Sequence, residues 1–186
     1  MAIRKIALMG QPVLKEVAKP VDDPGSPEIR RLVADMLETM IDAEGLGLAA
    51  PQVYEPVRLV MFAVPADRFK EGEEGAVPLT VLINPVVEPT DEEMVEGTEA
   101  CLSLPGLAGS VPRYRHIRYT GMTPDGESVA REASGYHARV VQHECDHLDG
   151  ILYPMRMDDL SSLSFVSELG PGPRIMVETD DMVTDE

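Results

Sequence analysis

The sequence predicts an α+β fold in which mostly antiparallel strands pack around a central C-terminal helix, with another helix near the N-terminus. Residues 27–43 and 133–148 carry apolar side chains at the spacing of amphipathic helices. Between them, short segments rich in β-branched residues are separated by Pro, Gly and acidic turns. The later helix also contains the string HECDH at residues 143–147, whose two histidines are four residues apart.

Length and composition indicate one globular domain. Of the 186 residues, 44% are hydrophobic and 26% are charged, which suits a chain with its own core. We expect a single domain over residues 1–165 and a flexible acidic tail over residues 166–186. The net charge of −17 argues against direct binding to nucleic acid or a membrane surface, because both are polyanionic. No secretory pattern or membrane-spanning segment is recognisable, so we expect a cytoplasmic protein.

The first helix and the strands after it are predicted from local signals. Ser26 is a suitable N-cap, Pro27 suits the first helical position, and Gly45 ends the apolar pattern. Strands are predicted at residues 57–64, 79–87, 94–103 and 111–119. An exposed loop is expected at 70–78, a Pro-Gly turn at 105–106 and a hairpin turn at 123–126.

The second helix places Tyr136, Val140, His143 and His147 on one stripe. Two imidazoles one helical turn apart can bind the same divalent metal ion. Glu144, directly after the first histidine, lies beside the open coordination position, where it can take a proton from water. A hydrolytic site of this kind normally has a third protein ligand, which this helix does not supply.

Two cysteines, Cys101 and Cys145, are too few for a disulfide scaffold in a chain of this size. On a helix, Cys145 points away from both histidines and is expected to be a small buried apolar residue. Cys101 lies between an acid and a hydroxyl, and its thiolate is a candidate for the missing ligand. His137 lies off the metal stripe, and His116 lies in a predicted strand beside Arg115 and Arg118, so both are expected at the surface.

A segment of small residues, GLGLAAPQ at residues 45–52, follows the first helix. Its glycines allow the backbone to come close to a ligand. Taken alone, however, a glycine pair after a helix is more often a cap and a turn. The spacing matches neither a dinucleotide-binding loop nor a Walker loop.

Three segments together resemble the signature motifs of the peptide deformylase family. They are GLGLAAPQ at residues 45–52, EACLS at 99–103 and QHECDH at 142–147. Supporting similarity at 10–14, 84–85, 111–113 and 147–150 extends the resemblance over roughly residues 5–160. The resemblance implies the family's fold and the hydrolytic removal of the N-formyl group from the N-terminal formylmethionine of newly synthesised polypeptides, which releases formate.

The resemblance also implies the catalytic site. Cys101, His143 and His147 would bind one divalent metal, Fe(II) physiologically, with Zn, Ni or Co able to replace it. Glu144 would act as general base and then return the proton to the leaving nitrogen. The developing oxyanion would accept hydrogen bonds from two donors, the side-chain amide of Gln52 and the backbone N–H of Leu102.

Substrate contacts are expected around the same centre. By resemblance, the backbone at Gly45 and Gly47 approaches the peptide, which pairs there as an added strand. Tyr136 and Val140, on the ligand face of the second helix, and Ile41, at the end of the first, are candidates for a methionine pocket. Core packing explains these three apolar side chains equally well.

Charged residues are expected to hold the ligands in place. Glu99 and Arg113 are expected to form an ion pair that supports the strand carrying the cysteine. Asp146 either orients a neighbouring group or is a solvated acid on the helix surface.

Two positions depart from the family pattern, and one feature is missing. Ala100 replaces a glycine in the second motif, and Ala108 replaces an arginine that many relatives use to hold the substrate backbone. We therefore expect substrate preference to differ more than metal binding. Nothing basic follows Arg174, so any ribosome contact is expected to be weak or to use another surface.

Two other functions remain open on the sequence. An HExxH metallopeptidase fits the helix but assigns no role to Cys101 or Gln52. A catalytically silent relative that binds formylated peptides fits the fold but does not need Glu144, because binding alone requires no base.

Overall fold

The computed structural model describes residues 2–69 and 75–169. The helices are α1 (Pro27–Asp42) and α2 (Gly135–Leu148). The strands are β1 (Gly47–Ala49), β2 (Leu59–Val64), β3 (Val77–Pro89), β4 (Met94–Cys101), β5 (Leu104–Tyr114), β6 (His116–Met122), β7 (Ser128–Ser134) and β8 (Ser164–Phe165). They form two antiparallel sheets, ordered β1-β2-β3-β6-β7 and β4-β5-β8. The α+β fold with mostly antiparallel strands is therefore confirmed.

The first helix forms where its capping residues predict it. The Ser26 hydroxyl accepts a hydrogen bond from the Ile29 N–H at 3.4 Å, and Pro27 takes the first helical position. At the other end the Gly45 N–H donates to the Met40 carbonyl at 2.9 Å, one turn past the regular helix. The predicted bounds of 27–43 are confirmed to within one residue.

Strand β2 is buried on both faces, which fixes the layers of the molecule. Leu59 and Met61 pack with the apolar face of α1, whereas Val60 and Phe62 pack with α2. Side chains alternate between the two faces of a strand, so the sheet lies between the two helices. Helix α2 in turn contacts β1, β2 and β3 as well as β5 of the other sheet. Its predicted central position is confirmed.

The predicted strand at 111–119 is wrong. The chain leaves β5 at Tyr114 and enters β6 of the other sheet at His116. Between them the Arg115 N–H donates to the Glu93 carbonyl at 2.8 Å, and the Arg115 carbonyl accepts from the Gly135 N–H at 2.9 Å. Both sides of the crossing have extended backbone, so an alternating apolar pattern continues through it.

The predicted Pro-Gly turn at 105–106 is also wrong. The chain reverses at Leu102 and Ser103, because Cys101 already pairs with Leu104. Residues 105–107 form a bulge in β5, since the next pair is Ala100 with Ala108. Gly106 has a φ of 76° within this bulge, a conformation that glycine adopts without strain. The turn at 123–126 is confirmed by a hydrogen bond from the Gly126 N–H to the Thr123 carbonyl at 2.9 Å.

The remaining differences from the sequence prediction concern additional strands, the start of α2 and segments outside the described residues. Strands β1, β7 and β8 were not predicted, and α2 begins two residues later than expected because β7 extends to Ser134. Residues 70–74 of the expected loop lie outside the described part, while Val77 and Pro78 already belong to β3. Most of the expected tail, residues 170–186, also lies outside it. Among the residues that the structure describes, no helix is long and apolar enough to cross a membrane.

Candidate metal centre

Cys101, His143 and His147 come together in the structure. Cys101 is the last residue of β4, and the two histidines lie on successive turns of α2. One ligand atom from each residue lies within 4.8 Å of the others, and the Cys101 Sγ is 3.4 Å from the His147 Nε2. One sulfur and two imidazole nitrogens form a donor set that suits Fe(II), Zn, Co or Ni. The three residues thus fit a single divalent ion.

The ring of His143 is oriented by a contact on the side away from the metal position. Its Nδ1 lies 2.8 Å from the Glu99 Oε2, which leaves Nε2 as the ligand atom. A carboxylate on the non-coordinating nitrogen is the usual way in which proteins set the tautomer of a metal ligand. Tyr153 stacks on the same ring, with centroids 6.3 Å apart and planes inclined by 22°. The sequence did not indicate Tyr153, because it follows α2 in an irregular segment without a motif.

The Cys101 side chain favours its ionised form. Burial by itself favours the neutral thiol, but the charge of His147 and hydrogen bonds from both imidazoles outweigh it and lower the pKa of Cys101. A thiolate is the form that binds metal ions. Cys145, in contrast, packs in the apolar cluster between α2 and the large sheet, as predicted. Burial there raises the pKa of its thiol.

Glu144 is buried beside the three ligands, and one of its carboxylate oxygens makes no hydrogen bond to the described residues. Burial raises the pKa of Glu144 to about 7, although the charges of His143 and His147 oppose the shift. Within the described residues its Oε2 has no hydrogen-bond partner. A buried oxygen in that position suits a water molecule or a substrate group. A carboxylate with a pKa near neutrality can both accept and return a proton.

Gly47 makes room for this carboxylate. A Cβ built on Gly47 would overlap the Glu144 carboxylate and would lie 2.8 Å from its Cγ. Gly47 lies in β1, so the requirement for glycine is one of space rather than of backbone conformation. At Gly45 a Cβ would lie 2.8 Å from the Leu102 Cδ1. The two glycines therefore let the segment at 45–52 pack directly against Glu144 and Leu102.

The amide of Gln52 points at the ligand cysteine. Its Oε1 accepts a hydrogen bond from the Ala49 N–H at 2.8 Å, which fixes the orientation of the amide. Its Nε2 donates to the Ser103 Oγ at 3.1 Å and to the Cys101 Sγ at 3.5 Å. The buried amide therefore presents N–H groups beside the metal position. Ser103, which receives one of these bonds, was not identified from the sequence as part of the site.

The expected ion pair between Glu99 and Arg113 is present and belongs to a larger buried network. The Arg113 Nε and Nη2 each donate to the Glu99 carboxylate at 2.9 Å. Burial favours the neutral acid, but hydrogen bonds from Arg113 and His143 lower the pKa of Glu99 to about 2. Arg113 also contacts Asp146 at 2.5 Å, and Asp146 accepts from Arg156 at 2.8 Å. Asp146 is thus a buried partner of two arginines rather than a solvated acid.

The candidates for a methionine pocket divide into two groups. Val140 is buried and Tyr136 is partly buried, and both pack in the apolar cluster between α2 and the large sheet. Ile41 is 48% exposed and belongs to none of the three apolar clusters formed by the described residues. Their contact with a substrate stays a prediction.

The structure also gives the burial of the two other histidines and the strand positions of Ala100 and Ala108. His116 is partly exposed, but the surface position expected for His137 is wrong, because it is fully buried and lies 3.3 Å from the Tyr119 hydroxyl. Ala100 lies within β4, and positive φ among the described non-glycine residues is limited to other positions, so it is unstrained there. Ala108 is buried and pairs with both Ala100 and Ser164 of β8. Position 108 therefore lies between β4 and β8 in the smaller sheet.

Comparison with known proteins gives one consistent result. The sequence model of the polypeptide deformylase family matches residues 3–162. The chain is 53% identical to peptide deformylase 1 of Bordetella pertussis over 170 residues, which span 91% of this chain and 96% of that protein. It is 48% identical to peptide deformylase 1 of Nitrosomonas europaea over 174 residues, or 93% of this chain and 98% of that protein.

Solved structures agree with these relatives. A class I type b peptide deformylase from Acinetobacter baumannii bound to Met-Ala-Ser is 34% identical, with a TM-score of 0.76, and the match covers 84% of this chain and 100% of that one. An Ehrlichia chaffeensis peptide deformylase in complex with actinonin is 32% identical, with a TM-score of 0.79 over 87% of this chain and 92% of that one. Fold and sequence comparisons thus lead to the same family.

Proposed function

The chain belongs to the peptide deformylase family of metal-dependent hydrolases, and from this premise we propose how its own residues remove an N-formyl group. The observation that carries the proposal is the meeting of Cys101, His143 and His147 with the buried Glu144 carboxylate. Formate and a free N-terminal amine are the products. We propose formylmethionyl peptides of nascent chains as the substrates, in keeping with the relative that binds Met-Ala-Ser.

The three ligands would hold one divalent ion in each chain. We propose Fe(II) as the physiological ion, with Zn, Ni or Co able to take its place, because thiolate and imidazole donors suit all four. When bound, the ion would acidify water and polarise the formyl carbonyl. Glu99 would keep the Nε2 of His143 directed at the ion through its 2.8 Å contact with Nδ1.

Glu144 would move the proton. Its carboxylate takes a proton from the attacking water, and the water oxygen forms a bond to the formyl carbon. When the C–N bond breaks, Glu144 gives the proton to the leaving nitrogen, so the peptide departs as an amine. Burial raises the pKa of Glu144, which suits a group that acts first as a base and then as an acid.

Two donors would stabilise the oxyanion that develops on the formyl oxygen. We propose the Gln52 Nε2, which already lies 3.5 Å from the Cys101 Sγ, and the backbone N–H of Leu102 in the β4–β5 turn. An amide is suited to this role because a carboxylate in its place would repel the developing charge.

The peptide would pair with β1, an edge strand of the larger sheet. Strand β1 is the first strand of its sheet and hydrogen-bonds only with β2 among the described strands. Gly47 lies in this strand, next to Glu144. A peptide added along β1 would therefore bring its first residue to the catalytic carboxylate.

An assay of formate release tests the proposed function. We expect the protein loaded with Fe(II) under anaerobic conditions, or with Ni(II), to release formate from formyl-Met-Ala-Ser and to leave acetyl-Met-Ala-Ser intact. Cleavage of an internal peptide bond at a comparable rate would favour the metallopeptidase function. Binding of formyl-Met-Ala-Ser without formate release would favour a catalytically silent relative.

Substitution of Gly47 by alanine tests the approach of β1 to the base. The added methyl group must displace the Glu144 carboxylate, so we expect kcat to fall by about 100-fold, the scale of a 1 Å misplacement. The metal content should not change, since Gly47 is not a ligand. Gly25→Ala is a matched control, because its Cβ would meet only ordinary contacts at 3.6 Å and beyond. Equal kcat values for the two variants would contradict the proposed geometry.

We also propose a cytoplasmic location, where nascent chains are made, and a weak contact with the ribosome. The net charge of −17 supports the second point, because ribosomal RNA would repel the protein. Cosedimentation with ribosomes that resists high salt would contradict it.

A further inference from the structure

Arg139 and Gly97 meet on the sheet that carries the ligand cysteine. Arg139 lies in α2 one turn before His143, and its side chain crosses to β4 at Gly97. A Cβ built on Gly97 would lie 2.7 Å from the Arg139 Cζ, 2.8 Å from Nη2 and 2.9 Å from Nε. The guanidinium therefore occupies the place that a side chain at position 97 would take.

Four hydrogen bonds hold the guanidinium in this place. Nη1 donates to the Val111 carbonyl at 2.7 Å, to the Glu99 Oε1 at 2.9 Å and to the Gly97 carbonyl at 3.2 Å. Nη2 donates to the Val95 carbonyl at 2.6 Å. The acceptors lie on β4 and β5, the hairpin whose turn follows Cys101 directly. One side chain of α2 thus connects the helix that carries two ligands to the hairpin that carries the third.

The Glu99 carboxylate shows what Arg139 adds to the known ion pair. Arg113 reaches both Glu99 oxygens, so Glu99 would remain ionised without Arg139. Arg113, on β5, also reaches α2 through Asp146 at 2.5 Å, beside His147. Arg139 adds a second link between the hairpin and α2, one turn before His143. Arg139 and His143 both contact Glu99 from α2, at Oε1 and Oε2 respectively. Arg139 therefore holds from the helix side the carboxylate that Arg113 grips from β5, at the oxygen that His143 does not contact.

We propose that Arg139, seated on Gly97, is a positioning residue of the metal centre: it sets the separation between Cys101 on the hairpin and His143 on α2. The inference rests on the proposed three-ligand site and adds a residue that touches neither metal nor substrate. It explains why a buried arginine, which is costly to desolvate, stands one turn before a ligand. It also explains why β4 carries a glycine within a regular strand, where glycine is otherwise unfavourable.

Metal release is the direct measurement. We expect Arg139→Met to speed the loss of Co(II) or Ni(II) to a chelator by about 10- to 100-fold, the usual effect of losing a partner of the ligands. The visible absorption bands of the Co(II) form should shift, because the ligand geometry relaxes. We expect kcat for formate release to fall more than KM rises, since the peptide does not contact Arg139.

Gly97→Ala tests the same contact from the other side. Its methyl group displaces the guanidinium without altering α2, so it should accelerate metal release as Arg139→Met does. If both substitutions act through one contact, the double variant Gly97→Ala/Arg139→Met should release metal about as fast as either single variant. If the acceleration of metal release in the double variant equals the product of the two single accelerations, the proposal is overturned.

The control variant and the unfolding temperature separate positioning from general stability. Arg30→Met removes an arginine of α1 whose ion pair with Asp125 is exposed, and it should release metal at the wild-type rate. A lower unfolding temperature with an unchanged release rate and spectrum would overturn the proposal and leave Arg139 a purely structural residue. If Arg139→Met does not fold, metal release is measured on Arg139→Lys instead, because lysine keeps the positive charge but lacks the planar guanidinium. Failure of the wild type to bind metal would instead overturn the proposed function.

Discussion

Replacing Glu144 with glutamine is expected to lower kcat for formate release by about 1000-fold, within the range that positioned acid–base groups contribute. Glutamine has nearly the same shape as the buried carboxylate, so the packing against Gly47 should remain. It cannot accept the proton of the attacking water or return one to the leaving nitrogen. The loss should therefore appear in the chemical step rather than in peptide binding.

Two measurements make this result specific to the base. The metal content of Glu144→Gln should equal that of the wild type, because Cys101, His143 and His147 are unchanged. Glu132→Gln, which alters an exposed carboxylate on β7, should keep wild-type kcat. A Glu144→Gln enzyme that keeps more than a tenth of wild-type kcat with its metal bound would show that another group moves the proton.

The helix that carries His143 and His147 could be predicted because the sequence signals for it lie within the helix itself. The spacing of His143 and His147 places two imidazoles on one helix face whatever the rest of the chain does. The capping signals at Ser26 and Gly45 are local in the same way, and they located α1 to within one residue. Cys101, in contrast, was one open candidate for the third ligand until the resemblance to a family assigned it, since no spacing rule connects it to α2.

The errors concern contacts between segments that are distant in the chain. The crossing of β5 to β6 at Arg115 is set by backbone bonds to Glu93 and Gly135, which a local alternating pattern does not report. His137 is buried because Tyr119 and Phe62 enclose it, and neither neighbour is close in sequence. Arg139 belongs to no motif and was not identified from the sequence. Only the fold shows that Gly97 opens a place for it.

Substitution of Glu99 by glutamine is expected to have the second large effect, this time on stability as well as on the metal. Glu99 is the shared acceptor of Arg113, Arg139 and His143. Removing its charge takes away the carboxylate partner of Arg139 and leaves Arg113 with Asp146. Breaking a buried pair on one side costs about 3–5 kcal/mol. For a chain of this length, such a loss corresponds to a fall of about 10 °C in the unfolding temperature.

The metal-free and metal-loaded forms should both be measured, because they report different parts of this effect. The metal-free protein shows the cost of losing the ion pairs that Glu99 makes with Arg113 and Arg139. The loaded protein should show an additional 10- to 100-fold loss of metal affinity, since the amide of glutamine is a weaker acceptor for the His143 Nδ1–H. Glu96→Gln is the matched control, because Glu96 is an exposed residue of the same strand that accepts from the Ser110 hydroxyl at 2.5 Å. Its effect should stay within about 0.5 kcal/mol, as for most surface substitutions. Equal unfolding temperatures for the two variants would mean that Arg113 and Arg139 do not depend on Glu99 for their charge balance.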